Sequence, residues 1–150
     1  MKEINRIALV VSTILLASGA YAQVTINSTR VAAKDSVAVG KFYQAAFGMH
    51  ETNRLQGAGG PELFLNFGDT VEAAKANKGQ PLVIQHRDSD DVHDPVAHVI
   101  LNVKDMSATL AAIKAAGGTI ATEPRSQKGT VFIAIAVDPA GNRIELISRP

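Results

Sequence analysis

The strongest constraint on this chain is that it repeats itself. Lys34-Asp35 returns as Lys104-Asp105, Gly48 as Gly118 and Thr52 as Thr122, each 70 positions on, while Ile84-Gln85 returns as Ile144-Glu145 after 60. The difference of ten is accounted for by an insertion around Asp69–Asn77 in the first half. Each half reads β-α-β-β-β. A unit of that size does not bury its own sheet, so the two halves must pair to make one domain.

Local signals support the same order of elements. After Val24–Ala33, a strand candidate, Asp35 stands before an apolar helical face of Val37, Val39, Phe42, Tyr43, Ala46 and Phe47. The acid suits an N-cap and Gly48 suits the stop. Met49–Leu55, Leu63–Phe67 and Leu82–Arg87 read as strands, with a Gly-rich loop at 56–61 and a short Ala-rich helix in Asp69–Asn77. Asp88 to Pro95 is an acidic linker between a first module of about 24–87 and a second of about 96–150. The second module runs from strand Val96–Val103 to cap Asp105, helix Met106–Ala116, strand Thr119–Glu123 and loop Pro124–Gly129. It closes on a hairpin, Val131–Val137 and Arg143–Ile147, turned by Asp138-Pro-Ala-Gly-Asn142. The expected class is α+β: paired βαβββ modules forming a cupped mixed sheet.

Residues 1–22 carry a different signal. Lys2 and Arg6 precede an apolar run, Ile7–Ala17, too short to span a bilayer, and Ala20-Tyr21-Ala22 has the small-residue spacing of a leader cleavage site. This predicts a secretory signal peptide cut after Ala22, a single domain at 23–150, and a secreted or periplasmic location. Without those residues the chain holds 13 basic and 13 acidic side chains. A balanced chain with no basic stripe argues against nucleic acid and against a membrane surface after cleavage. The absence of Cys excludes disulfides and thiolate chemistry.

Alternation then locates a site. In the final strand Ile144 and Leu146 share one face, and Arg143, Glu145 and Ile147 the other. In Val96–Val103, Val99, Leu101 and Val103 are the all-apolar face that a helix would cover, leaving His98, Ile100 and Asn102 on the open one. Glu145 and His98 therefore face into the expected cup, the default place for a small-molecule ligand. The repeat assigns Ser28 and Gln85 as their first-half counterparts. His98 and Glu145 suit Zn, Ni, Fe or Mn, and Gln85 is a weaker third donor. Two readings stand open at His98, a metal ligand or a residue bonded to a neighbour. Two stand open at Glu145, a ligand and general base or an acid paired with Arg143.

These motifs resemble one family. Lys-Asp before a helix with Phe42-Tyr43 and Phe47-Gly48, then His98-Val-Ile-Leu-Asn-Val-Lys-Asp105, then Asp138-Pro-Ala-Gly-Asn-Arg-Ile-Glu145-Leu are similar to the vicinal-oxygen-chelate superfamily. That group includes glyoxalase I, bleomycin and fosfomycin resistance proteins, and extradiol dioxygenases. The resemblance implies a cup formed by two modules, often a homodimer, and a divalent metal held at His98 and Glu145. It implies a metal-dependent lyase, isomerase or dioxygenase acting on a small oxygen-rich substrate. The departures at Ser28 and Gln85 motivate the alternative, a metal-free protein that sequesters a small molecule as bleomycin resistance proteins do. Arg30, on the face of Ser28, and Arg54 are candidates for an anionic substrate group, and Ser28 and Asn102 for further substrate contacts.

His86 neighbours Gln85 but falls on the helix side, as a structural histidine would. His93 and the aspartates 88, 90, 91 and 94 read as a solvated loop, without the Gly and Glu of a calcium-binding loop. Gly57–Gly60 lacks phosphate-loop spacing, and no serine sits in a nucleophile elbow.

Overall fold

The computed structural model describes residues 27–57, 59–91, 96–127 and 129–149. The proposed leader, His93 and the end of the linker lie outside them. In chain order the elements are β1 (Thr29–Ala33), α1 (Ser36–Phe47), β2 (Met49–Gln56), β3 (Pro61–Phe67), α2 (Val71–Ala76), β4 (Leu82–His86), β5 (Val99–Asn102), α3 (Met106–Ala115), β6 (Thr119–Gln127), β7 (Val131–Val137) and β8 (Arg143–Ser148). They form two four-stranded sheets of the same topology, β1-β4-β3-β2 and β5-β8-β7-β6. In each, the first strand runs parallel to the last and the other pairings are antiparallel. This is the α+β architecture the repeat predicts.

The two main helices start by the same device. Asp35 accepts from the Ala38 amide at 2.8 Å and Asp105 from the Ala108 amide at 2.9 Å, each satisfying a first-turn donor with no helical partner. Gly48 ends α1 at φ 66°, where its N–H donates to Gln44 O; a left-handed residue there suits glycine. The ten extra residues of the first half include α2, whose cap Thr70 accepts from Ala73 N at 3.1 Å.

Alternation decides which face of each sheet the helices cover. Ile144 and Leu146 of β8 are fully buried, as are Leu63, Leu65 and Ile84 of the first sheet, while Glu145 and Ile147 are half-buried on the other face. The helix-side residues form one core spanning both modules, in which Val39, Phe42 and Tyr43 of α1 join Leu110 and Ile113 of α3. Burying an aliphatic side chain of this kind contributes roughly 1.5–3 kcal/mol. Gly118 shows how tight the join is: a Cβ there would stand 2.7 Å from the Phe42 ring and 2.9 Å from Ile113.

Three differences from the sequence expectations are informative. β6 runs on through Pro124, which the sequence places in a loop. It is an edge strand with register shifts between Ile120 and Arg125, and edges and bulges are where a sheet tolerates a missing N–H. β5 is shorter than the expected Val96–Val103. Finally, the modules differ in register. Thr29 pairs with Leu82, and its equivalent Val99, by the matched helix caps, pairs with Ile144. In pairing register, then, Glu145 stands where Val83 does, and Gln85 lies two residues further along the same face, opposite Ala32.

The closing turn ties the halves together. Asp138 Oδ1 accepts from the amides of Ala140 and Asn142, both at 2.9 Å, and Oδ2 accepts from Asn142 Nδ2 at 2.7 Å and from the Tyr43 hydroxyl at 3.3 Å. Gly141 completes the turn at φ 90°. Asn142 Nδ2 also donates to Ala32 O, and Arg87 donates through NH2 to Ala140 O at 2.6 Å. Burial, reinforced by the Asp138 charge and hydrogen bond, pushes the Tyr43 hydroxyl well above its ordinary 10.0.

Two outcomes follow for stability. Asp138→Ala strands several buried donors and should cost about 2–4 kcal/mol in urea unfolding, against about 1 kcal/mol for Tyr43→Phe. Because the folded state keeps the Tyr43 proton above the ordinary tyrosine value, this group's contribution is intact below pH 10 and declines as the pH rises beyond it. Unfolding free energy measured across that range should fall less steeply in Tyr43→Phe.

Candidate functional site

The open face of the second sheet is built around Glu145. Strand pairing sets it between Ile100 of β5 and Ile135 of β7, with Arg143 and Ile147 two residues away along β8. Ile100 is 58% exposed, so the floor around the acid is apolar and accessible. Among the described residues the Glu145 carboxylate has no hydrogen bond or ion pair, Arg143 included. Half-buried and outside the protein's own hydrogen-bond network, this acceptor is open to water or to a ligand.

The other candidates separate into groups. His98 lies just before β5 and shares a cavity of about 190 Å3 with Arg30, Arg87, Asn142 and Arg143, at the seam where the edges of the two sheets approach. Arg30 reaches across its sheet to Glu62, NH2 to Oε1 at 2.8 Å, yet that oxygen is buried without a well-formed hydrogen bond. Ser28 is half-buried just ahead of β1. Gln85 is exposed and lines a different cavity, with Leu55, Glu62 and His86. Arg54, on the outer strand β2, is held by Glu51 through two hydrogen bonds, Nε to Oε1 at 2.6 Å and NH2 to Oε2 at 2.7 Å. Asn102 accepts from Arg149 at 2.7 Å and lines a third cavity beside Asp105. Arg30 and His98 thus come together, while Ser28, Gln85, Glu145, Arg54 and Asn102 do not join them in that cavity.

His86 is structural, its Nδ1 2.9 Å from Lys34 O. Asp90 accepts from Lys34 N and Arg87 Nε, and Asp91 from Ser89, so these acids support the chain around 88–91. Arg87 is a residue of the seam cavity that sequence reasoning missed. It directly follows β4, and only the tertiary approach of Ala140, 53 positions away, reveals its place at the seam.

A sequence profile of the Glyoxalase/Bleomycin resistance protein/Dioxygenase superfamily matches residues 25–146. The chain belongs to that superfamily. It is 34% identical over 111 residues to a probable lactoylglutathione lyase of Vibrio parahaemolyticus, a match covering 71% of this chain and 78% of that one. A probable lactoylglutathione lyase of Vibrio cholerae is 35% identical over 85 residues, covering 56% of this chain and 59% of that one. Glyoxalase I from Zea mays superposes with a TM-score of 0.65 at 26% identity, over 81% of this chain and 43% of the maize chain. A fosfomycin resistance protein from Listeria monocytogenes superposes with a TM-score of 0.63 at 17% identity, over 85% and 94%.

The divalent metal that the family resemblance implies can be tested against the donors present. Among the described residues no three His, Cys, Asp or Glu side chains gather closely enough to hold an ion. His98, just before β5, and Glu145, on β8, supply two donors in the second module. Gln85 and Ser28 supply an amide and a hydroxyl in the first. Catalytic zinc sites use three protein ligands and an open position, which this donor set does not fit.

A carboxylate outside the protein's own hydrogen-bond network should be dispensable to the fold. Glu145→Gln should change unfolding free energy by less than about 0.5 kcal/mol in urea, in contrast to the buried Asp138 seven residues earlier.

Proposed function

We propose that this superfamily member binds a small oxygen-bearing molecule on the open face of its second sheet, with Glu145 as the polar centre, and that it does so without a resident metal. The observation that carries this reading is the unpaired, half-buried Glu145 between Ile100 and Ile135. An apolar floor supplies burial, and one carboxylate fixes orientation by accepting hydrogen bonds from ligand hydroxyl or amine groups. The accessible Ile100 supports a second copy as the opposite wall, making the working unit a homodimer. The leader-like residues 1–22 support a site of action outside the cytosol.

A second reading is a metal-dependent lyase. It is favoured by the presence of both His98 and Glu145 in the second module and by relatives named as probable lactoylglutathione lyases. The donor set weighs against it, as does export away from the cytosol, where glutathione is chiefly found.

Metal analysis separates the two. After the purified protein is reconstituted with Zn, Ni, Fe or Mn and desalted, we expect less than about a tenth of an equivalent bound, because real sites hold their ions tightly. Close to one equivalent, lost in His98→Ala, would establish the lyase reading instead. In parallel, a panel of vicinal diols and α-hydroxy ketones should include ligands that stabilise the protein to heat and lose that effect in Glu145→Gln. A panel with no such ligand would overturn the binding reading.

A further inference from the structure

The seam cavity of about 190 Å3 has a chemistry of its own. Arg30, Arg87 and Arg143 line it together with His98, and among the described residues no Asp or Glu does. Three guanidinium-bearing residues around one small space repel one another, and the Val31 and Ala32 wall weakens the screening by water. Asp90 offsets the charge of Arg87 and Glu62 that of Arg30, which leaves the guanidinium of Arg143 as the one that a bound anion would complete.

The three arginines differ in how fully they are already used. Arg87 is the anchored one: its Nε donates to Asp90 at 2.9 Å and its NH2 to Ala140 O at 2.6 Å, and its side chain is only 20% exposed. Its position is therefore fixed before any ligand arrives. Arg30 is partly engaged, lying 2.8 Å from Glu62 Oε1 in a geometry that forms no proper hydrogen bond. Arg143 is half-buried and, among the described residues, has no side-chain hydrogen bond or carboxylate partner. Asn142 is not available to a ligand through its Nδ2, which donates to Ala32 O and Asp138 Oδ2. A free guanidinium fork beside a fixed one is the arrangement that grips a planar or tetrahedral oxyanion through paired N–H donors.

We infer that this cavity is an anion-binding site, formed by both modules, that takes a carboxylate, phosphate or phosphonate group of a small molecule. Arg143 makes the principal contact, and Arg30 turns from Glu62 to share it. The inference goes beyond the binding reading above and does not depend on it, because Glu145 does not line this cavity. It also relocates the anionic-group expectation, which the sequence attached to Arg30 and Arg54, to a different partner set.

Titration of the purified protein with inorganic phosphate by calorimetry at low ionic strength tests it. Saturable binding at a Kd of about 1 mM or tighter is expected, weakened about tenfold or more in Arg143→Gln. Arg143→Lys keeps the charge without the fork and should recover only part of the affinity. Arg125→Gln, an exposed arginine on β6 outside the cavity, should bind as the parent does. Circular dichroism of each variant confirms that it is folded. An absence of saturable binding to the parent, or equal weakening in Arg125→Gln and Arg143→Gln, would overturn the site.

Discussion

Each half of this molecule has one long helix and one four-stranded sheet, and that shortage of cover governs the rest. A sheet presents two faces, and a single helix hides only one. The join is made on the helix side, where α1 and α3 pack together and Val39, Phe42 and Tyr43 share a core with Leu110 and Ile113. The opposite faces are left to water or to ligands. The open apolar floor around Glu145 is thus a by-product of where the core had to go, and it became available for chemistry because packing did not need it.

What could be read from the sequence is what short-range periodicity encodes. Matching caps at Asp35 and Asp105, the Gly48 stop and the alternation of Ile144, Glu145 and Leu146 are properties of a few adjacent residues, and each has a local physical cause. The direction in which Glu145 points belongs to that class. The way separate strands assemble does not. The two-residue difference in register between the modules leaves every side chain on the same face, so no hydrophobic pattern reports it. The persistence of β6 through Pro124 depends on its being an edge strand, which is a matter of topology. The grouping of Arg30 with His98, and the entry of Arg87 into that group, depend on contacts across the seam. Arg54 shows the converse: it looked available in sequence and is spent on a neighbour three positions away.

Membership of the superfamily fixes the scaffold more firmly than the chemistry. A TM-score of 0.65 with a glyoxalase I and 0.63 with a fosfomycin resistance protein describes a shared backbone supporting proteins with different names. The particular chain then decides what the scaffold does through the handful of residues on the open faces. Here those include an acid with no partner among the described residues, a histidine and a set of arginines at the seam. The second module keeps ionisable groups at its central strand positions, and the first offers Gln85, Val83 and Ser28.

The closing turn has a consequence for how the molecule comes into being. Asn142 grips Ala32 across 110 positions and Asp138 reaches Tyr43 across 95. Those bonds join β1 and α1 to the turn between β7 and β8. Long-range closure of this kind slows folding and lengthens the exposure of apolar surface. The β7–β8 turn is therefore a latch between the modules, and a change at Asp138 or Asn142 reaches the first half as directly as the second.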